Sequence, residues 1–222
     1  MNGIFYMHVS VLEKPELFEK GLALVSADRR EKVKKLKNPI PARLSLAAGL
    51  LLRFAMEKSG QENRLSDIEL SVYGKPYLKD TDFHFSLSHS GEYAVCVYGD
   101  VTLGTDIQRI KEKMPMHTKK ILSEDEMLYL NSMDEQDKTK AFYHIWARKE
   151  SLIKWDGRGL RIPLHTISCI MENKMVEQLQ FEEKRVFFRE LDIPEYAFSI
   201  CSEKELKINE ITEITTKILT KY

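Results

Sequence analysis

Four side chains in two stretches of this sequence have the types and spacing for chemistry on an anionic group. In LGTDIQRI (103–110), strand alternation sends Leu103, Thr105 and Ile107 to one face and Gly104, Asp106 and Gln108 to the other. Asp106 and Gln108 then lie about 7 Å apart at Cα, near enough to converge on one ion. In FYHIWARKESLIKWDGRGL (142–160), Phe142, Ile145, Trp146, Leu152 and Ile153 form one helical stripe. Lys149 falls inside that stripe, and Glu150 and Lys154 sit four residues apart on its flank. Asp106, Gln108 and Glu150 together would make an all-oxygen set suited to Mg²⁺, which keeps several waters and binds substrate phosphates. Each stretch also has a plainer reading. D-x-Q can be a solvent-facing pair, and Glu150 with Lys154 a surface ion pair beside a Lys149 whose stem runs along the core edge.

Other segments could hold phosphate. HFSLSHSG (84–91) places Phe85, Leu87 and His89, with Phe83 before them, on one face, so His89 ends an apolar row at a turn that also offers Ser88 and Ser90. In YGKPYL (73–78), Gly74 suits a positive φ and Pro76 holds Lys75 extended, which fixes the direction of a lysine. DRREKVKKLK (28–37) carries Arg29, Arg30, Lys32, Lys34, Lys35 and Lys37, with Val33 and Leu36 as its inner side. It is either a solvated helix face or a phosphate-gripping patch.

The elements that must position these groups can be read in outline. The run Ile4 to Leu12 reads as a strand, Pro15 to Val25 and Asp28 to Leu36 as helices, and ARLSLAAGLLLRFAMEK after Pro41 as a core helix. ELSVYGKPYLKD gives two short extended pieces. FHFSLSH, EYAVCVYG and VTLGTDIQRI read as a three-stranded meander. SEDEMLYL opens with a capping box of Ser123 and Glu126, the long helix follows, and HTISCIM, MVEQLQF, RVFFREL and YAFSICS are β-rich. The architecture is therefore α+β with mostly antiparallel sheet, divided near Asp100.

Composition narrows the function classes. With 222 residues, 43% hydrophobic and 31% charged, the chain reads as globular, and no stretch resembles a membrane span or export signal, so a cytoplasmic protein is expected. Cys96, Cys169 and Cys201 have neither disulfide nor zinc spacing. The 34 basic and 34 acidic residues cancel, which gives no global support for nucleic-acid binding.

Taken in order, four motifs resemble those of the Sfp-type 4′-phosphopantetheinyl transferase superfamily. They are Gly74-Lys75-Pro76, the strand end FSLSHS (85–90), GTDIQ (104–108) against the family's G-x-D-x-E, and WARKESLIK (146–154) against W-x-x-KE-(A/S)-x-x-K. The resemblance implies two similar α+β halves related by a pseudo-twofold, residues 1–101 and 102–222, with coenzyme A in a cleft between them. It implies transfer of the phosphopantetheine arm of coenzyme A, with Mg²⁺, to a serine of an acyl or peptidyl carrier protein. Asp106, Gln108 and Glu150 would be the metal ligands, and Glu150, Lys154 and His89 the catalytic groups. Arg29, Lys32, Arg43, Lys75, Pro76, Ser88, His89 and Lys154 would hold coenzyme A. A monomer acting without nucleic acid or membrane is expected, docking its carrier near residues 111–135, where Met114, Met116 and Met127 offer an adaptable surface. Gln108 replaces the family's glutamate, which removes one negative charge and leaves a catalytically impaired coenzyme A-binding protein as the alternative.

Overall fold

The computed structural model describes residues 2–116 and 118–221. In chain order the elements are β1 (Gly3–His8), α1 (Pro15–Leu24), α2 (Ala27–Lys34), α3 (Pro39–Lys58), β2 (Ile68–Leu70), β3 (Pro76–Leu78), β4 (His84–Ser90), β5 (Tyr93–Gly99) and β6 (Leu103–Arg109). There follow α4 (Glu124–Asn131), α5 (Glu135–Asp156), β7 (Ile170–Met171), β8 (Lys174–Met175), β9 (Gln178–Phe181), β10 (Lys184–Glu190), β11 (Tyr196–Ser202), β12 (Glu210–Glu213) and α6 (Thr216–Leu219). The chain forms two compact units. The first comprises Met1–Leu70, Pro76–Asp100 and Lys207–Tyr222, and the second Ser71–Lys75 and Val101–Leu206.

The first unit is a four-stranded sheet in the order β12-β1-β5-β4 with α3 packed on it, plus the small β2-β3 ribbon. Its pairings are antiparallel except β1 with β12, which run parallel. That pairing brings the last residues back to the first strand, so the first unit is not the continuous segment 1–101 expected from sequence. The helix α3 starts with Pro39 in its first turn, where a missing N–H costs no hydrogen bond, and is apolar on most of its surface. Its composition and length would suit a membrane span, but Leu46, Ala47, Leu50, Leu51, Ala55 and Met56 are fully buried in this unit's core. The apolar run from Ile4 does not stay extended to Leu12. The strand ends at His8, whose ring accepts the Ser10 N–H, and a 3₁₀ turn covers Val9–Glu13.

The second unit is a four-stranded antiparallel sheet, β6-β11-β10-β9, with α5 lying across β6 and β11. Here the expected meander fails. The strands β4 and β5 pair with each other, but β6 leaves them to pair with β11 along its whole length. Alternation identified β6 as a strand correctly; it carries no information about which edge the strand joins. The α4 capping box forms as expected, with the Glu126 N–H donating to Ser123 Oγ and the Ser123 N–H to the Glu126 carboxylate. The helix α5 is capped by the Asp134 side chain at its start and ended by Gly157 at φ 93°.

Candidate active site

The position of α5 against β6 depends on one residue without a side chain. A Cβ built on Gly104 would lie 2.2 Å from both Ser151 O and Trp155 N, so strand and helix meet backbone to backbone. The Ser151 and Ser199 hydroxyls, 3.1 Å apart, add a buried hydrogen bond between α5 and β11. Asp106, two residues beyond Gly104 on the same face, is consequently covered by the helix. It is 3% exposed, so it is not a solvent-facing residue.

Asp106 has a defined set of partners. Lys154 Nζ donates to its Oδ1 at 2.6 Å, and Gln108 Nε2 donates to its Oδ2 at 2.7 Å. Glu150 lies one turn before Lys154 and accepts a long 3.4 Å bond from the Trp146 indole. Burial pushes the Glu150 carboxyl above its ordinary range, and the charge of Asp106 pushes it further, against the opposing pull of Lys154 and Trp146. Asp106, Gln108 and Lys154 are hydrogen-bonded together, and the Asp106 charge is felt at Glu150. Gln108 takes part as a donor to Asp106.

This donor set fits a magnesium ion. Two carboxylates that repel one another are stabilised by a divalent cation, each carboxylate has lone pairs beyond those already used, and the amide oxygen of Gln108 is a third hard donor. Among the described residues, no three His, Cys, Asp or Glu side chains converge on one point.

Lys149 is not a residue at the core edge. It is fully buried, its Nζ 2.5 Å from the equally buried Glu126 carboxylate and within hydrogen-bond reach of the Ile121, Leu164 and Ile167 carbonyls. Glu126 also accepts the Cys169 N–H at 2.9 Å. Burial lowers the Lys149 pKa, and the Glu126 charge opposes that shift. With Lys149 facing inward, the adjacent Glu150 lies about 100° round α5 from it. Sequence reasoning missed the ion pair: the capping box gave Glu126 a complete local role, and only the apolar stripe around Lys149 hinted at a buried partner. On the other side of α5, Arg148 and His144 both hold Glu190, and Arg148 stacks on Phe188.

In the first unit the basic segment forms α2 as expected, and its cations separate by role. Arg30 donates to the Leu22 and Ala23 carbonyls and so closes the end of α1. Arg29 and Lys32 line a cavity of 680 Å³ with Arg53, Glu62, Ser66 and Pro76. Burial lowers the Arg29 pKa, and its stem packs on Gly49. Arg43 is not in that group. It pairs with Glu13 at 2.8 Å and lines a different groove with Pro15 and Phe18. Ser88 is buried and His89 exposed at the end of β4, where the apolar row Phe83, Phe85, Leu87 runs out into solvent. Lys75, expected with Pro76 to help hold the nucleotide, donates from its ammonium to the Leu103 and Trp155 carbonyls. In the segment proposed to meet a carrier, Met114 and Met127 pack on the core of the second unit, while Met116 is 93% exposed; His117 lies outside the described residues.

Comparison with known proteins decides the family. The 4′-phosphopantetheinyl transferase superfamily model matches residues 102–201, the segment that contains β6, α5 and all but the last residue of β11. The chain is 30% identical over 190 residues to the 4′-phosphopantetheinyl transferase Sfp of Bacillus subtilis (strain 168), covering 83% of this chain and 84% of that one. The chain belongs to the Sfp-type 4′-phosphopantetheinyl transferases. The transferase is also 32% identical over 143 residues to the 4′-phosphopantetheinyl transferase gsp of Aneurinibacillus migulanus, covering 64% of this chain and 60% of that one. It is 26% identical over 204 residues to the human L-aminoadipate-semialdehyde dehydrogenase-phosphopantetheinyl transferase, covering 84% of this chain and 64% of the relative.

Proposed function

We propose that this transferase moves the 4′-phosphopantetheine arm of coenzyme A to a serine hydroxyl of an acyl or peptidyl carrier protein, with Mg²⁺, converting apo to holo carrier. The observation that supports this reading is the grouping of Asp106, Glu150, Gln108 and Lys154 where β6 and α5 meet. Asp106 and Glu150 would hold Mg²⁺, which when bound neutralises charge on the pyrophosphate.

The serine oxygen forms a bond to the phosphorus that bears the pantetheine arm. The bond from that phosphorus to the bridging oxygen breaks, releasing adenosine 3′,5′-bisphosphate. Glu150 accepts the serine proton, directly or through a water, as the carboxylate beside Asp106 that the Lys154 ammonium does not occupy. Lys154 supplies positive charge to the transferred phosphate, and Asp106 holds its ammonium in place. His89 and Ser88 would contact phosphate, with Pro76 against the nucleotide. Arg29 and Lys32, which line one cavity, would take the 3′-phosphate. Arg43 could join them only by leaving Glu13. In this reading the two α+β units share a plan of a long helix on a four-stranded sheet, the enzyme acts as a monomer in the cytoplasm, and neither nucleic acid nor membrane takes part.

The test is the intact mass of apo carrier proteins of the fatty-acid and peptide-synthetase types after incubation with the enzyme, coenzyme A and Mg²⁺. Gain of one phosphopantetheine arm, abolished by chelation, supports the proposal. No gain on either carrier, with coenzyme A still bound, would overturn it.

A further inference from the structure

The ammonium of Lys75 lies at the junction on which the site depends. It donates to Leu103 O at 3.2 Å and to Trp155 O at 2.9 Å. Leu103 immediately precedes Gly104 on β6, and Trp155 immediately follows Lys154 on α5. Trp155 O is among the last carbonyls of α5, which have no partner further along the helix, and a cation is favoured at that end by the helix dipole. The stem of Lys75 runs beside Gly157, where a Cβ would lie 3.4 Å from Lys75 Cδ.

The segment that carries Lys75 is itself built to hold it. The Ser71 N–H donates to Lys75 O at 2.9 Å, the Lys75 N–H to Ser71 Oγ at 3.1 Å, and Gly74 takes φ 85° between them. The Arg161 guanidinium stacks on Tyr73 at 4.8 Å. Lys75 therefore enters its position from a closed turn, so its backbone loses less freedom when the side chain docks than that of a lysine on an open loop.

We propose that Lys75 is a positioning residue for the transfer reaction, fixing the last turn of α5 against the start of β6 so that Lys154 and Glu150 stand at Asp106. The proposal rests on the phosphopantetheine-transfer reading, and it removes the Lys75 ammonium from the set of groups that hold the nucleotide.

The test is Lys75→Met, which keeps the stem and removes the ammonium, measured in three ways: the coenzyme A dissociation constant by calorimetry, single-turnover transfer, and amide hydrogen exchange across 153–157. The expected result is a fall in transfer rate of about tenfold to a hundredfold, the range for a displacement approaching 1 Å at a reacting group. Coenzyme A affinity should change less than threefold, and exchange at the end of α5 should accelerate while exchange in α3 stays as in wild type. Weakened coenzyme A binding with an unchanged rate would overturn the proposal and return Lys75 to the nucleotide. Unchanged rate and unchanged exchange would overturn it too, as would a rate loss that merely follows faster exchange throughout the chain. The exchange measurement needs no turnover, so it separates failure of this proposal from failure of the transfer reading.

Discussion

Replacing Gly104 by alanine is the sharpest perturbation available to the junction of β6 and α5. The new methyl would stand 2.2 Å from Ser151 O and Trp155 N and 2.8 Å from the Lys154 carbonyl carbon, all main-chain atoms of one helix. No flexible side chain can swing aside, so relief comes only from α5 and β6 separating. Cβ contacts essentially never fall below 3.0 Å, so the two elements must part by about 0.8 Å at this point. Overpacking of this kind costs about 1–3 kcal/mol, and a backbone-to-backbone clash belongs at the upper end. For a chain of this length that corresponds to a melting temperature about 6–12 °C lower. The same separation falls on the 2.6 Å contact of Lys154 with Asp106, so the transfer rate should drop about a hundredfold. The assay is thermal unfolding by circular dichroism beside single-turnover transfer measured well below the lowered transition. Gly21→Ala is the control, because its methyl meets only Leu50 and Leu46 side chains at 3.2 and 3.3 Å, and its rate should stay near wild type. A Gly104→Ala enzyme with an unshifted transition and a rate within threefold of wild type would refute the reasoning.

Other outcomes follow from the same geometry. Lys149→Met leaves the buried Glu126 carboxylate without its cation and should destabilise the fold by about 3–5 kcal/mol, read by denaturant unfolding, whereas Lys149→Met with Glu126→Gln, which removes the uncompensated charge and keeps an acceptor for the Ser123 or Cys169 N–H, should recover part of that loss. Because the Glu150 carboxyl is raised in the folded state, its ionisation takes stability away as pH rises from its ordinary value through the folded one. Without metal, Glu150→Gln should therefore melt higher than wild type at pH 7 and lose the difference at pH 4, while transferring nothing. Gln108→Glu exchanges a donor to Asp106 for a third carboxylate, so it should lower the metal-free melting temperature and also the Mg²⁺ concentration for half-maximal binding by calorimetry.

What the sequence disclosed and what it withheld divide along physical lines. Local periodicity located β6 and α5, and the placement of Asp106 with Gln108 on one strand face and of Glu150 with Lys154 on one helix flank followed from it, because strand and helix spacing fix direction within an element. Pairing across the chain did not follow. Nothing in VTLGTDIQRI distinguishes an edge beside β5 from an edge beside β11, and nothing in EITE announces a parallel partner for β1. Side-chain partners distant in sequence were hidden for the same reason. Arg43 reads as one more cation near a basic segment until Glu13 is seen beside it, and Lys75 reads as an anion ligand until two carbonyls occupy it. Lys149 shows the limit most clearly, since a lysine in an apolar stripe is consistent with either a stem along the core edge or a buried ion pair, and only the position of Glu126 decides.

The most direct test of the central account is single-turnover transfer to an apo carrier, followed by intact mass, for wild type beside Asp106→Asn and Glu150→Gln, all confirmed folded by circular dichroism. The wild type should add one phosphopantetheine arm, and both variants should lose at least a hundredfold in rate. A variant that transfers at the wild-type rate would show that the pair where β6 meets α5 is not the site of the chemistry.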